Sequence, residues 1–109
     1  MPNPFEELAA LDRLVHDPAR LAILTALAAC RSADFTFLLR LTGLTNGNLS
    51  SHLARLEEAG LVQLERRFIG KRPNTLIQLT SRGRATVNRH WKVLDSLRKS
   101  TRDWSPDSE

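Results

Sequence analysis

Five stretches of this chain carry apolar residues at helical spacing, and between the fourth and the fifth the period shortens to two. Phe5, Leu8, Leu11, Leu14 and Val15, behind Asn3 as N-cap and Pro4 at the first helical position, predict a helix over 4–15. Asp17 and Pro18 open a second, running to Cys30, with Leu21, Leu24 and Leu27 expected at the centre of the core. After a loop at Arg31-Ser32-Ala33, Asp34 caps a short third helix through Leu41, with Phe35, Leu38 and Leu39 on one face. The turn Thr42-Gly43-Leu44 leads to Thr45, cap of a fourth helix from Asn46 to Ala59 that Gly60 closes.

Beyond Gly60, residues 61–68 read as a strand with Val62 and Leu64 apolar, and residues 75–79 as a second. Gly70-Lys71-Arg72-Pro73-Asn74 is expected to join them as a long basic hairpin tip. Thr80 caps a last helix from Ser81 to about Ser100, striped by Val87, Trp91, Leu94 and Leu97. The order ααααββα is a mainly α, α+β fold: a helix-turn-helix followed by a two-stranded wing. One domain over 1–100 and a flexible tail over 101–109 are expected.

Charge sharpens this picture. The 109 residues hold 16 Lys+Arg against 12 Asp+Glu, and the excess is local: residues 61–92 carry eight cations against one acid. A basic block on a hairpin beside a helix-turn-helix is the footprint of a phosphate binder. At about 100° per residue, Leu49, Leu53 and Leu56 share one face of the fourth helix. Gly47, Asn48, Ser51, Ala54, Arg55 and Glu58 then point the other way, Glu58 where the helix would be leaving a groove. Asn48 and Ser51 can donate to and accept from base edges, Arg55 can pair with guanine or a phosphate, and the helix start at Thr45 and Asn46 suits a phosphate. Arg66 and Arg67 must point to opposite faces of the wing, so at most one meets DNA directly; Lys71 and Arg72 sit at its tip. Arg82 and Arg84 stand against the positive end of the last helix, which predicts a compensating anion or acidic residue beside them.

The motifs also resemble a family. Leu14-Val15-His16-Asp17-Pro18-Ala19-Arg20-Leu21-Ala22-Ile23-Leu24 is similar to the opening signature of ArsR- and MarR-type winged-helix transcriptional regulators. Residues 45–62 resemble their recognition helix and its exit into the wing, and Leu79-Thr80-Ser81-Arg82-Gly83-Arg84 their passage into the last helix. The resemblance, spanning about residues 8–97 and closest to short stand-alone winged-helix proteins, implies a homodimeric regulator binding double-stranded DNA, usually a repressor; a cytoplasmic location is expected from the lack of a signal-like or membrane-spanning segment. The expected DNA contacts are Thr45, Asn46, Gly47, Asn48, Ser50, Ser51, His52, Arg55, Arg67, Lys71 and Arg72, although His52 lies beside the core stripe and reads first as a packed or hydrogen-bonded histidine and second as a phosphate contact. The family builds its dimer from the first and last helices, which implicates Phe5, Leu8, Leu11, Val87, His90, Trp91, Leu94 and Leu97.

Other chemistries find little purchase. The expected third helix has no Cys or His, where metal-sensing members carry cysteines, and His16, His52 and His90 are scattered, so neither metal nor cofactor is expected. Cys30 alone forms no disulfide framework and reads as a small half-buried residue. No nucleophile, base and orienting carboxylate are legible together, which argues against an enzyme. No apolar run is long enough for a membrane span. A small-molecule effector, with His90 and Trp91 lining its pocket, is a further candidate partner. A protein-interaction adaptor on the same fold is the alternative function.

Overall fold

The computed structural model describes residues 3–108. Helix α1 (Pro4–Ala9) starts where the sequence places it, with Asn3 Oδ1 accepting the amides of Phe5 and Glu6 at 3.0 and 2.9 Å. It stops well short of the expected Val15. The cause is Asp12, whose Oδ1 accepts the Leu14 amide at 2.9 Å and gives the backbone an alternative to the helical ladder. The resulting turn buries Val15 in the core.

Helix α2 (Pro18–Cys30) begins at Asp17, which accepts the Arg20 amide at 3.0 Å, and fully buries Ile23, Leu24 and Leu27. Cys30 departs from expectation: it closes the helix with its side chain exposed. Arg31 then turns the chain at φ 64°, a conformation that favours glycine. The expected loop that follows is in fact a strand, β1 (Ser32–Asp34), antiparallel to the hairpin. Three residues are too few to show alternation in a sequence. This strand exists because Ala33 pairs with the buried Ile77.

Helices α3 (Phe35–Thr42) and α4 (Asn46–Glu58) flank a turn at Gly43, φ 70°. Asp34 Oδ1 caps the first through the Phe37 amide at 2.8 Å, and Thr45 Oγ1 caps the second through the Asn48 amide at 3.2 Å. Strands β2 (Val62–Ile69) and β3 (Arg72–Leu79) pair from Val62↔Leu79 to Ile69↔Arg72, so the sheet order is β1-β3-β2. The hairpin is longer than expected and its tip shorter, only Gly70-Lys71. Pro73 enters β3 because it lies beyond the three residues that β1 pairs, where one side of the strand is open.

Helix α5 (Ser81–Arg102) runs past the expected Ser100, and a 3-10 turn (Pro106–Ser108) follows. Thr80 both caps α5 through the Gly83 amide at 3.0 Å and donates to the Gly60 carbonyl at 2.6 Å, locking the start of the wing to its end. The core joins α2, α3 and α4 to the sheet and the first half of α5: Ile23, Leu24, Leu27, Leu38, Leu49, Leu53, Leu56, Ile77 and Val87 are all at most 1% exposed. The winged-helix expectation holds, with a third strand added. No helix among the described residues is long and apolar enough to cross a membrane.

Candidate nucleic-acid interface

The leucines of α4 fix which side of it remains available. Leu49, Leu53 and Leu56 point inward, and Gly47, Asn48, Ser51, Ala54, Arg55 and Glu58 are all exposed, as the periodicity requires. Thr45, Asn46 and Ser50 are exposed as well, so the helix presents its first turn and its polar face to solvent together. Up to Arg55 this face holds amides, hydroxyls, small residues and one guanidinium, with no carboxylate among them. A helix of that profile fits a major groove, where small residues allow close approach and the polar groups reach base edges.

His52 is placed differently. It is half-buried on the flank of α4, and its Nδ1 accepts from Arg20 Nη1 at 3.2 Å. Arg20 also donates to the carbonyls of Leu14 at 2.6 Å and Arg13 at 3.2 Å, and its Nη2 lies 3.6 Å from Asp17 Oδ2. The Arg20 amide, and then its guanidinium charge, hold the Asp17 carboxyl below the usual carboxylate range. His52 therefore belongs to a bracket that holds α4 against α2. Sequence reading missed Arg20, which looks on paper like any cation in the first turn of a helix.

Strand register sorts the wing. Val62, Leu64, Arg66 and Phe68 share one face with Leu79, Ile77, Thr75 and Pro73, and this is the face that buries Val62 and Ile77. Arg66 and Thr75 consequently line a cleft with Ser50, Ala54 and Glu57 of α4. Arg67 lies on the opposite face, where its Nε donates to Asn74 Oδ1 at 3.0 Å. Arg66, more than Arg67, is the arginine turned toward α4. Counting in twos from Val62 and Leu64 would have found it. Lys71 and Arg72 are exposed at the tip, as expected.

The cations at the start of α5 need no acid. Arg84 Nη1 reaches the Ala28 carbonyl at 3.5 Å, in the last turn of α2, where the negative end of that helix dipole supplies the balance. Arg82 is exposed beside Gly60.

Of the residues assigned to a dimer contact, several are already covered within one protomer. Val87 and Leu97 are buried, and so is His90, whose Nε2 sits 3.1 Å from His16 Nδ1. Burial first, and then the charge of His16, push the His90 pKa below its ordinary value, against an opposing pull from Asp12. The reason for the difference is that the chain after α1 folds back on α5. Phe5, Leu8 and Trp91 remain exposed, Leu11 and Leu94 half-buried. Phe5 meets Trp104 edge to face at 4.9 Å, and Trp91 Nε1 donates to Thr25 Oγ1 at 3.0 Å. Among the described residues, no three His, Cys, Asp or Glu side chains converge in a group able to hold a metal ion.

Comparison with known proteins agrees with this geometry. Residues 19–97 match the family of winged helix DNA-binding domains. An uncharacterised protein of Methanocaldococcus jannaschii is 32% identical over 88 residues, covering 81% of this chain and 96% of that protein. The HTH-type transcriptional regulator YgaV of Escherichia coli is 38% identical over 61 residues, 56% of this chain and 62% of its own. A transcriptional regulator homologue from Pyrococcus horikoshii has a similar structure, with a TM-score of 0.81 and 30% identity over 93% of this chain and 98% of that one.

Proposed function

The chain belongs to the winged helix DNA-binding domain family, and on that footing we propose that it represses transcription as a homodimer, with α4 in the major groove and the wing on the flanking backbone. That it is a DNA-binding transcriptional regulator follows from its family and relatives; the family is not one of enzymes. The observation that carries the finer reading is the exposed polar face of α4, free of carboxylates up to Arg55, facing Arg66 across a cleft on a hairpin whose tip carries Lys71 and Arg72. Asn48, Ser51 and Arg55 read bases. Lys71, Arg72, Arg66 and the amides at the start of α4 hold phosphates.

A second copy is the reading that best covers Phe5, Leu8 and Trp91, which one protomer leaves exposed. In such a dimer two recognition helices read half-sites about 34–36 Å apart, one turn of duplex. Repression is the mode the family resemblance implies, since a dimer seated on a promoter excludes polymerase from the same DNA. The test is to select bound fragments from a random duplex pool, footprint the best of them, and measure mass by sedimentation. Two protected half-sites one turn apart, on a protein of twice the chain mass, are expected. A single protected half-site on a monomer would overturn the dimer, and no salt-dependent duplex binding would overturn the reading as a whole.

A further inference from the structure

The outer end of the wing carries an apolar surface that phosphate binding does not use. Phe68 is 72% exposed and Ile69 57%, the two most exposed large hydrophobic side chains among the described residues. In register, Phe68 lies opposite Pro73 on the wing face that looks toward α4, one step outward from Arg66 and Thr75. A phenyl ring and a pyrrolidine ring thus stand side by side at the end of a hairpin, one pair short of the Gly70-Lys71 turn. Solvent exposure of such a pair costs free energy without helping the fold, because the core ends at Leu64 and Ile77.

The charge around the pair selects its partner. Arg66 shares its face, Lys71 stands in the turn beyond it and Arg67 and Arg72 lie on the opposite face of the same hairpin, which has no Asp or Glu beyond Glu65; Glu57 lies further inward, in the cleft with Arg66. An apolar protein interface would have to desolvate those cations, whereas a duplex groove offers phosphate walls for them and stacked base edges for the rings. Proteins that enter the minor groove use this combination: cations track the backbone while a Phe, Ile or Pro wedge parts a base step and kinks the duplex. We infer that Phe68, backed by Pro73, is a wedge that partly unstacks a base step in the minor groove beside the major groove held by α4. This rests on the DNA-binding reading above and adds to it a bend in the duplex and a preference for flexible steps, such as TA or CA, at positions no polar side chain reads.

The test uses the full chain and a duplex it selects from a random pool, with 2-aminopurine scanned through the steps flanking the α4 site. Binding of the unaltered protein should raise the fluorescence at one step, the mark of unstacking. Phe68→Ala should abolish that rise and weaken binding roughly tenfold, with the slope of log affinity against log salt unchanged because no charge is lost. Phe68→Leu, which keeps a strand-compatible apolar side chain, should retain most of both and shows that the hairpin itself is intact. Binding by the unaltered chain with no step unstacked would overturn the wedge and leave DNA binding standing. A Phe68→Ala protein that binds duplex normally but changes its self-association would assign the pair to a second copy instead. Failure of the unaltered chain to bind any duplex would remove both readings.

Discussion

Arg20 Nη1 and His52 Nδ1 meet at 3.2 Å and tie the first turn of α2 to the middle of α4. Arg can only donate, so His52 Nδ1 accepts and its ring proton resides on Nε2. The same guanidinium holds the carbonyls of Leu14 and Arg13, with Asp17 beside it, so one side chain joins α4 to the start of α2 and to the turn before it. Arg20→Ala should cost about 1–2 kcal/mol of stability, measured by urea unfolding, because the part-buried Leu14 carbonyl and His52 Nδ1 lose their donor. His52→Ala should cost less and mainly weaken DNA binding through the loosened helix.

Arg55 stands exposed on the outward face of α4, and no hydrogen bond or ion pair holds its side chain among the described residues. Arg55→Ala should leave the unfolding midpoint in place, weaken binding to a selected duplex by about 1–3 kcal/mol and relax preference at one base pair. Competition binding against single-base variants of that duplex measures both effects.

Lys71 and Arg72 are expected to act on phosphates alone. Replacing both with alanine should weaken every sequence alike and reduce the slope of log affinity against log salt by about 2. An unchanged slope would place the wing tip away from the backbone.

Gly83 shows how closely α5 is fitted to the base of the wing. A Cβ there would overlap the Leu61 carbonyl oxygen and lie 2.8 Å from its carbon, and backbone cannot step aside as a side chain can. Gly83→Ala should destabilise the fold by about 3 kcal/mol, read from the unfolding midpoint.

His90 makes stability depend on pH. Its pKa in the folded protein lies below the ordinary 6.5, so the unfolded chain binds the proton first as pH falls. Stability from this group is complete above about pH 7 and is lost downward through the ordinary histidine range. Asp12 and Arg89 are the charged groups lining the same hollow, and His16 meets His90 through its Nδ1 at 3.1 Å. The unfolding midpoint should drop between about pH 7.5 and pH 5.5, and His90→Gln should flatten that drop.

Much of this was legible in the sequence where a residue's role is set locally. Thr45, Gly60 and the Leu49/Leu53/Leu56 repeat determine α4 and its outward face without help from the rest of the chain. What stayed hidden depends on partners remote in sequence. β1 is a strand only because β3 lies beside it, and the tip of the hairpin shrinks to two residues because β2 continues to pair as far as Arg72. Asp12 ends α1 through one side-chain hydrogen bond that periodicity cannot register, and with it goes the broad first helix on which much of the expected dimer contact stood. The Arg66 face was recoverable by strand parity. The exposure of Phe68 was not, because in a sequence it looks like any aromatic residue of a strand.

Photocrosslinking from the α4 face tests most directly whether that face meets DNA. With the exposed Cys30 replaced by serine, a benzophenone is attached through Ser51→Cys, or as a control through Ser96→Cys on α5, and each protein is irradiated on a selected duplex. Crosslinks should form from position 51 to bases in one major groove and be nearly absent from position 96. Equal yields from both positions, or bases reached only from position 96, would contradict the assignment of α4 as the reading helix.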